Sequence, residues 1–355
     1  MADRPGGAVA RAGRIEFLEA VRGVAASLVV LQHLLTTVYP AFGRWTNHHL
    51  DLGRVGVVAF FLVSGYVIPL SLAGQTPSTF AVRRFFRLFP VYWVALALYA
   101  ALHPGGATGQ VGAAGLVLNV LMLHGMLGIL SVLPPAWTLS IELIFYTQAA
   151  AAKARRLLDA SVYAGLGWLG LYLMLCAGQR VTGHDLPRTL PLLLFVASLG
   201  HALHQRDRGG SVAWRPLFAA GAVLVPAGAY LGGNPAGDWP PFTYSVSFLV
   251  GVGLFAAWYA ARRYPVGRPL LFLGAISYAV YLVHPTVMDV LYELPRLAGG
   301  VPFLVATVVA VPLVAWTVHR LLERPSIRLG RLLTRRTPSP EASPAARPDA
   351  SPAAP

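Results

Sequence analysis

The sequence has little charge and almost no cysteine. Only 12% of its 355 residues are charged, whereas a soluble domain contains about 25%, and 28 residues are basic but only 14 acidic. The single cysteine, Cys176, excludes an intramolecular disulfide. Hydrophobic residues make up 56% of the chain. These proportions exclude a large soluble domain and indicate a protein that crosses the lipid bilayer several times.

Eleven apolar segments are candidates for membrane helices, because a spanning helix needs about 20 mostly apolar residues. The first is too long for a secretory signal peptide, so we predict that it stays in the membrane as a signal anchor. The segments cover residues 17–39, 55–73, 86–102, 113–130, 136–152, 160–178, 188–204, 213–232, 242–261, 270–288 and 300–322.

The net charge of +14 is interpreted as a topology signal and not as a nucleic-acid site, because basic residues are retained on the cytoplasmic side. Of the 28 basic residues, 22 lie in six clusters, which share one side only if one segment does not cross. Segment 113–130 is rich in glycine and contains Asn119 and His124, so we interpret it as re-entrant or interfacial. The sequence thus predicts an all-α bundle of about ten transmembrane helices with both termini in the cytoplasm. The alternative of eleven crossings places most later arginines outside.

Three regions are predicted along the chain. Residues 1–14 form a basic cytoplasmic segment, and residues 15–336 form an integral membrane domain. Residues 337–355 are rich in Pro, Ala and Ser and have no apolar face, which is typical of a disordered tail.

The first apolar segment contains two costly ionisable residues, Arg22 and His33. They are eleven residues apart, so in a helix they project within about 20° of each other and about 16 Å apart along the axis. A face with both groups is unfavourable in lipid, and we expect other helices to pack around it. Two alternatives remain open: His33 packs against a neighbouring carbonyl, or Arg22 pairs with Glu19 at the interface.

Two further groups are expected at the depth of His33. Glu142 lies about six residues into the segment that runs inward, and His284 lies near the outer end of another segment. A buried carboxylate must be paired or protonated, so Glu142 predicts a polar cavity that opens towards the outer face. His284 has the alternative of an interfacial position. His48, His49 and Asp51 have generic spacing, and we predict a solvated loop and no metal site.

A second group of charges lies in RRFFRLFP, residues 83–90. Arg84 and Arg87 are three residues apart and point the same way on a helix, with Arg83 beside them. Guanidinium groups among phenylalanines suit a phosphate that bears an apolar or aromatic moiety. The cluster is equally consistent with a cytoplasmic topology signal.

Six motifs in order resemble the membrane-bound acyltransferase family 3, whose members O-acylate sugars and glycosylated metabolites. The resemblance extends from about Arg14 to Pro325. It rests on RGVAASLVVLQH (22–33), GVVAFFLVSGY (56–66), Arg84 and Arg87 before Pro90, PPAWTLSIELIFY (134–146), SYAVYLVH (277–284) and ERP (323–325). We expect no extracytoplasmic hydrolase-like domain of the kind that some members append.

The resemblance implies a cytoplasmic acyl-CoA donor, most simply acetyl-CoA, a saccharide or glycoside acceptor, and a bacterial plasma-membrane location. It implies that Arg83, Arg84 and Arg87 bind the donor phosphates and that His33 is essential. We predict that His33 is a general base or a covalent acyl relay, that Glu142 stabilises its imidazolium, and that Arg22 orients the donor. Contacts to the substrate are expected from Ser64, Trp137, Tyr281 and His284.

Two questions stay open in the sequence. The group that stabilises the oxyanion is Ser64, Trp137 or Tyr281, and the residues do not choose among them. A different class of protein, a proton-coupled transporter or flippase of a polar lipid or glycan, also uses a membrane histidine and carboxylate. Such a protein has no evident use for Arg84, Arg87 or the WTLSIE stretch.

Overall fold

The computed structural model describes residues 5–210, 212–233, 240–297 and 300–335, and over these ranges the chain is helical without a strand. Thirteen α-helices lie in these ranges. They are α1 (Pro5–Val38), α2 (Pro40–His48), α3 (Leu52–Ala73), α4 (Pro77–Leu102), α5 (Ala107–Val120), α6 (Trp137–Ala154), α7 (Ala164–Thr182), α8 (Thr189–Asp207), α9 (Trp214–Gly232), α10 (Pro241–Ala260), α11 (Arg268–Tyr292), α12 (Gly300–Val318) and α13 (Arg324–Leu333).

Six of the described helices are long and apolar enough to cross a membrane. They are Glu16–Val38 of α1, then α3, α4, α10 and α11, and the continuous helix Gly300–Leu333, in which a π-helical turn at His319–Glu323 joins α12 to α13. The predicted all-α membrane architecture agrees with this result. The count of about ten crossings and the cytoplasmic side of both termini stay predictions.

Ten of the eleven predicted segments coincide with one helix each, but segment 113–130 does not. There α5 ends at Val120 after only 14 residues, which is shorter than the bilayer core requires. The buried Asn119 side chain then holds the returning chain: its Nδ2 donates to the Leu130 carbonyl over 3.1 Å, and its Oδ1 accepts from the Val132 N–H over 2.9 Å. His124 in this turn is buried, and burial lowers the pKa of its ring.

Helix α3 lies at the centre of the bundle, packed against α1, α8 and α10. Its contact with α8 depends on small residues, because backbone meets backbone there. A Cβ built on Gly65 would lie 1.8 Å from the Ala197 carbonyl oxygen. Helices α1 and α11 approach in the same way, since a Cβ on Gly274 would lie 2.2 Å from the Glu19 carbonyl oxygen. These two contacts set the rotation of α1, α3 and α11 and hence the direction of their polar side chains.

We expect Gly65→Ala to lower the stability of the protein by about 1–3 kcal/mol, the usual range for overpacking a close contact. The added methyl group forces α3 away from α8, and the loss is measured as a lower thermal midpoint of the purified protein in detergent. The matched control is Gly253→Ala in α10, where an added Cβ meets nothing within 4 Å. Equal midpoints for the two variants would contradict the packing described here.

Candidate active site

Two cavities lie side by side in the bundle, and Val57 and Tyr281 line both of them. The first, of about 300 Å³, we call the arginine cavity, and the second, of about 450 Å³, the histidine cavity. Polar residues that line the arginine cavity are Glu19, Arg22, Ser64, Arg84, Arg87, Thr138, Glu142, Tyr146, Ser277 and Tyr278. Polar or aromatic residues that line the histidine cavity are Gln32, His33, Thr36, Asp51, Arg54, Trp137, Thr189, Tyr244 and Phe248.

Helix α1 contributes one charged or titratable group to each cavity. Arg22 lines the arginine cavity and His33 the histidine cavity, so each side chain faces a cavity that residues of other helices also line. Arg22 also forms an ion pair of 3.1 Å with Glu19, one helical turn away. The face that their spacing predicted therefore runs along both cavities, and the pairing with Glu19 is present as well.

His33 lies against the ring of His284 from α11. The two rings are stacked, with centroids 5.3 Å apart and planes inclined by 27°. His284 is 1% exposed, and its Nδ1 lies 2.9 Å from the Tyr281 carbonyl oxygen. A carbonyl only accepts, so Nδ1 carries the proton and Nε2 keeps its lone pair, which has no partner among the described residues. His284 thus supports His33 from behind and does not line either cavity.

The carboxylate in the histidine cavity is Asp51, which the sequence analysis placed in a solvated loop. Asp51 is the N-cap of α3: its Oδ1 accepts from the Arg54 N–H over 3.0 Å, and its Oδ2 pairs with the Arg54 Nε over 2.9 Å. Gln32 holds this corner, since it donates to Thr46 and accepts from the Leu52 N–H. The signal in the sequence was an acid and a base three residues apart at the start of an apolar segment.

In the arginine cavity, Glu142 accepts hydrogen bonds at Oε1 from the Tyr146 hydroxyl and, over 3.1 Å, from the Ser64 hydroxyl. The Arg84 guanidinium lies over the rings of Phe80 and Tyr146, 5.2 Å from each centroid. Within the described part of the chain, neither Arg84 nor Arg87 forms an ion pair with a carboxylate. The positive charges of Arg84 and Arg87 therefore line this cavity without a carboxylate in contact with them.

Two predicted positions need correction. Glu142 was expected at the depth of His33, but it lines the arginine cavity, whereas Trp137, about 7.5 Å earlier along α6, lines the histidine cavity. Arg83 was grouped with Arg84 and Arg87, but its Nε donates to Thr334 over 2.8 Å and it lines neither cavity. Depth counted from segment ends ignores where the helices pack, and neighbouring residues on a helix point about 100° apart.

The four predicted substrate residues fall in different places. Ser64 lines the arginine cavity and Trp137 the histidine cavity. Tyr281 lines both cavities, and its hydroxyl lies 2.8 Å from the Thr138 hydroxyl and 3.0 Å from the Pro135 carbonyl oxygen. His284 is buried behind His33. Among the described residues, no group of three or more His, Cys, Asp or Glu could hold a metal ion.

The chain is similar to known proteins along most of its length. Residues 15–320 match the sequence profile described as an acyltransferase domain. The chain is 30% identical over 321 residues to the exopolysaccharide production protein ExoZ of Rhizobium meliloti (strain 1021), a match that covers 81% of this chain and 93% of that protein. It is 26% identical over 384 residues to the acyltransferase MdmB of Streptomyces mycarofaciens, with 92% of this chain and 95% of that protein covered. No solved structure matches.

The profile match covers most of the chain. It includes every residue that lines the two cavities, since these residues lie between Leu18 and Tyr281. Six helices with the length and apolar character of membrane spans lie in the described chain. The protein belongs to the membrane-bound acyltransferase 3 family and is an O-acyltransferase.

Proposed function

We propose that this enzyme transfers an acyl group, most simply acetyl, from acyl-CoA in the arginine cavity to a hydroxyl group of a saccharide or glycoside in the histidine cavity. The observation that carries the proposal is that the two cavities are neighbours in the bundle and share Val57 and Tyr281 in their linings. One cavity is basic and the other combines a histidine, a carboxylate and an aromatic ring. The enzyme would act in a bacterial plasma membrane, with the donor supplied from the cytoplasm.

The donor assignment follows from the charge of the arginine cavity. Planar guanidinium groups bind phosphates through paired hydrogen bonds, and Arg84 and Arg87 lack a carboxylate in contact. At about 300 Å³ the cavity has the size of a small ligand pocket, so it suits the pantetheine arm and thioester and leaves the nucleotide at its mouth. Arg22 lines the same cavity and would orient the donor near the thioester.

The acceptor assignment follows from the histidine cavity. The Trp137 ring is 37% exposed and offers its face to the C–H groups of a sugar ring, while the Asp51–Arg54 pair offers charged hydrogen-bonding groups to hydroxyls. The name of the relative ExoZ, an exopolysaccharide production protein, supports a carbohydrate acceptor. MdmB, the acyltransferase from Streptomyces, leaves a glycosylated metabolite as the other acceptor class.

In this proposal His33 is the general base. It removes the proton of the acceptor hydroxyl as the oxygen attacks the thioester carbon, the C–O bond forms, the C–S bond breaks, and the imidazolium returns its proton to the leaving CoA thiolate. The imidazolium is stabilised by Asp51 in the same cavity and by the stacked His284 ring. Glu142 acts on the donor side, where it holds Ser64 and Tyr146.

The test is acceptor-dependent release of CoA by the purified protein in lipid nanodiscs. With acetyl-CoA and a panel of polysaccharide fragments and glycosylated macrolides, we expect free thiol to appear only when a suitable acceptor is present, and that acceptor to gain one acyl group. Protein without acceptor, and acceptor without protein, are the controls. Absence of CoA release with every pair, together with proton-coupled uptake of a glycan in proteoliposomes, would establish the transporter alternative instead.

A further inference from the structure

We infer that Tyr281, together with Val57, selects the acyl group by size. This inference rests on the proposed function, because it assigns the donor to one cavity and the acceptor to the other. Val57 from α3 and Tyr281 from α11 are the two residues that line both cavities. In the proposed reaction, an acyl group that moves from the thioester to the acceptor hydroxyl lies against these two side chains.

The Tyr281 side chain is held at its hydroxyl group and by a neighbouring aromatic ring. Its hydroxyl, the Thr138 hydroxyl and the Pro135 carbonyl oxygen form a triangle of hydrogen-bonding distances, 2.8 Å, 3.0 Å and 3.1 Å. The hydroxyl groups of Tyr281 and Thr138 are the donors in this triangle, and the Pro135 carbonyl oxygen only accepts. The ring edge also packs against Phe60, with centroids 5.8 Å apart. Tyr281 is therefore a fixed wall between α3, α6 and α11, with 7% of its surface exposed.

A fixed ring at this point limits the size of the acyl group, because the reacting atoms must approach to about 3–3.5 Å. The acceptor oxygen comes from the side of Trp137 and His33, and the thioester comes from the side of Thr138 and Ser64. The acyl chain then lies against Tyr281 and Val57. A single methylene that fits or fails to fit changes kcat/KM by about 10–200-fold in such a pocket. The wild-type enzyme should accordingly prefer acetyl over longer acyl groups.

The experiment compares kcat/KM for acetyl-, propionyl- and butyryl-CoA with one acceptor. We expect Val57→Ala to raise the butyryl-to-acetyl ratio about 10-fold or more, and Tyr281→Ala to raise it further, since both enlarge the opening. Val67→Ala is the matched control: the same substitution, on the same helix, at a partly buried residue that lines only the arginine cavity. It should leave the ratio as in the wild type.

The outcomes test the proposed function and the selection of the acyl group by size separately. If the wild type releases no CoA with any donor, the proposed function is wrong, and turnover cannot be used to measure the selection of acyl groups. Thiol labelling then tests directly whether the Tyr281 side chain separates the two cavities. A cysteine introduced as Ser64→Cys in a Cys176→Ser background should be unreactive towards a thiol reagent that fills the histidine cavity. It should become reactive when Tyr281 is also replaced by alanine. If the wild type is active but treats acetyl and butyryl alike, or if Val57→Ala and Val67→Ala give the same ratio, the size selection is overturned.

Discussion

Replacement of His33 by alanine is expected to lower kcat by about 10²–10⁴-fold, the usual contribution of a general base, and to leave the amount of folded protein unchanged. The His33 side chain is exposed to the histidine cavity, so its removal opens space next to an existing cavity and does not create a void in the core. The loss is measured as acceptor-dependent CoA release at saturating donor and acceptor.

The control for this variant is His49→Ala. His49 follows α2, stacks on Trp45 with ring centroids 5.2 Å apart, and lines neither the arginine nor the histidine cavity. It tests whether removal of any histidine from this side of the bundle disturbs activity. We expect His49→Ala to turn over as the wild type does. Normal turnover by His33→Ala would remove His33 from the chemistry altogether.

Labelled acyl-CoA distinguishes the two roles available to His33. A general base holds only a proton, so incubation of the wild type with donor and no acceptor should leave the protein unlabelled. A covalent relay instead stores the acyl group on the imidazole and yields stoichiometric label that is absent from His33→Ala. Label on His33 that is then passed to added acceptor would replace the base mechanism by the relay.

The second large effect is expected for Arg87→Ala, which should raise KM for acyl-CoA by about 10–150-fold. This range corresponds to the loss of one hydrogen-bonded contact to a charged group, about 1.5–3 kcal/mol. Arg87 lines the arginine cavity and makes no ion pair within the described chain, so the variant loses little besides the donor contact. Arg87→Lys should recover only part of the affinity, since an ammonium group cannot form the paired contact.

A donor without phosphates makes this test specific. Acetyl-pantetheine lacks the groups that Arg87 is proposed to bind, so wild type and Arg87→Ala should use it equally well. Arg83→Ala is the matched control, because Arg83 donates to Thr334 and Gln75 and lines neither cavity. It should keep a normal KM for acyl-CoA. An Arg87→Ala defect of the same size with both donors would exclude phosphate binding as its cause.

Some features of this protein follow from local properties of the chain. Apolar length predicts helices such as α3 and α10, and the eleven-residue spacing predicts that Arg22 and His33 share a face of α1, because a helix has a fixed period. The break in segment 113–130 was also foreseeable from its glycines and Asn119, since a buried polar side chain needs partners. These inferences need only patterns along the sequence and no knowledge of how the helices pack.

The grouping of residues between helices could not be foreseen in the same way. Depth counted from segment ends put Glu142 at the level of His33, and the generic spacing of His48, His49 and Asp51 led to a solvated loop for Asp51, whereas Asp51 lines the cavity of His33 and Glu142 the other cavity. Each helix can slide and rotate in the bilayer, and what stops it is contact with its neighbours, such as the backbone approach at Gly65 or Gly274. A pattern along one chain segment does not contain those contacts.

The sequence by itself therefore determined the helical membrane architecture, the family and the face of α1 that carries Arg22 and His33, because hydrophobic length, motif order and helical period are encoded locally. Only the tertiary structure decided that Asp51 and not Glu142 lines a cavity with His33, and that Tyr281 lines both that cavity and the one that contains Arg84. Those relations depend on how far each helix is inserted and turned, which packing against other helices sets.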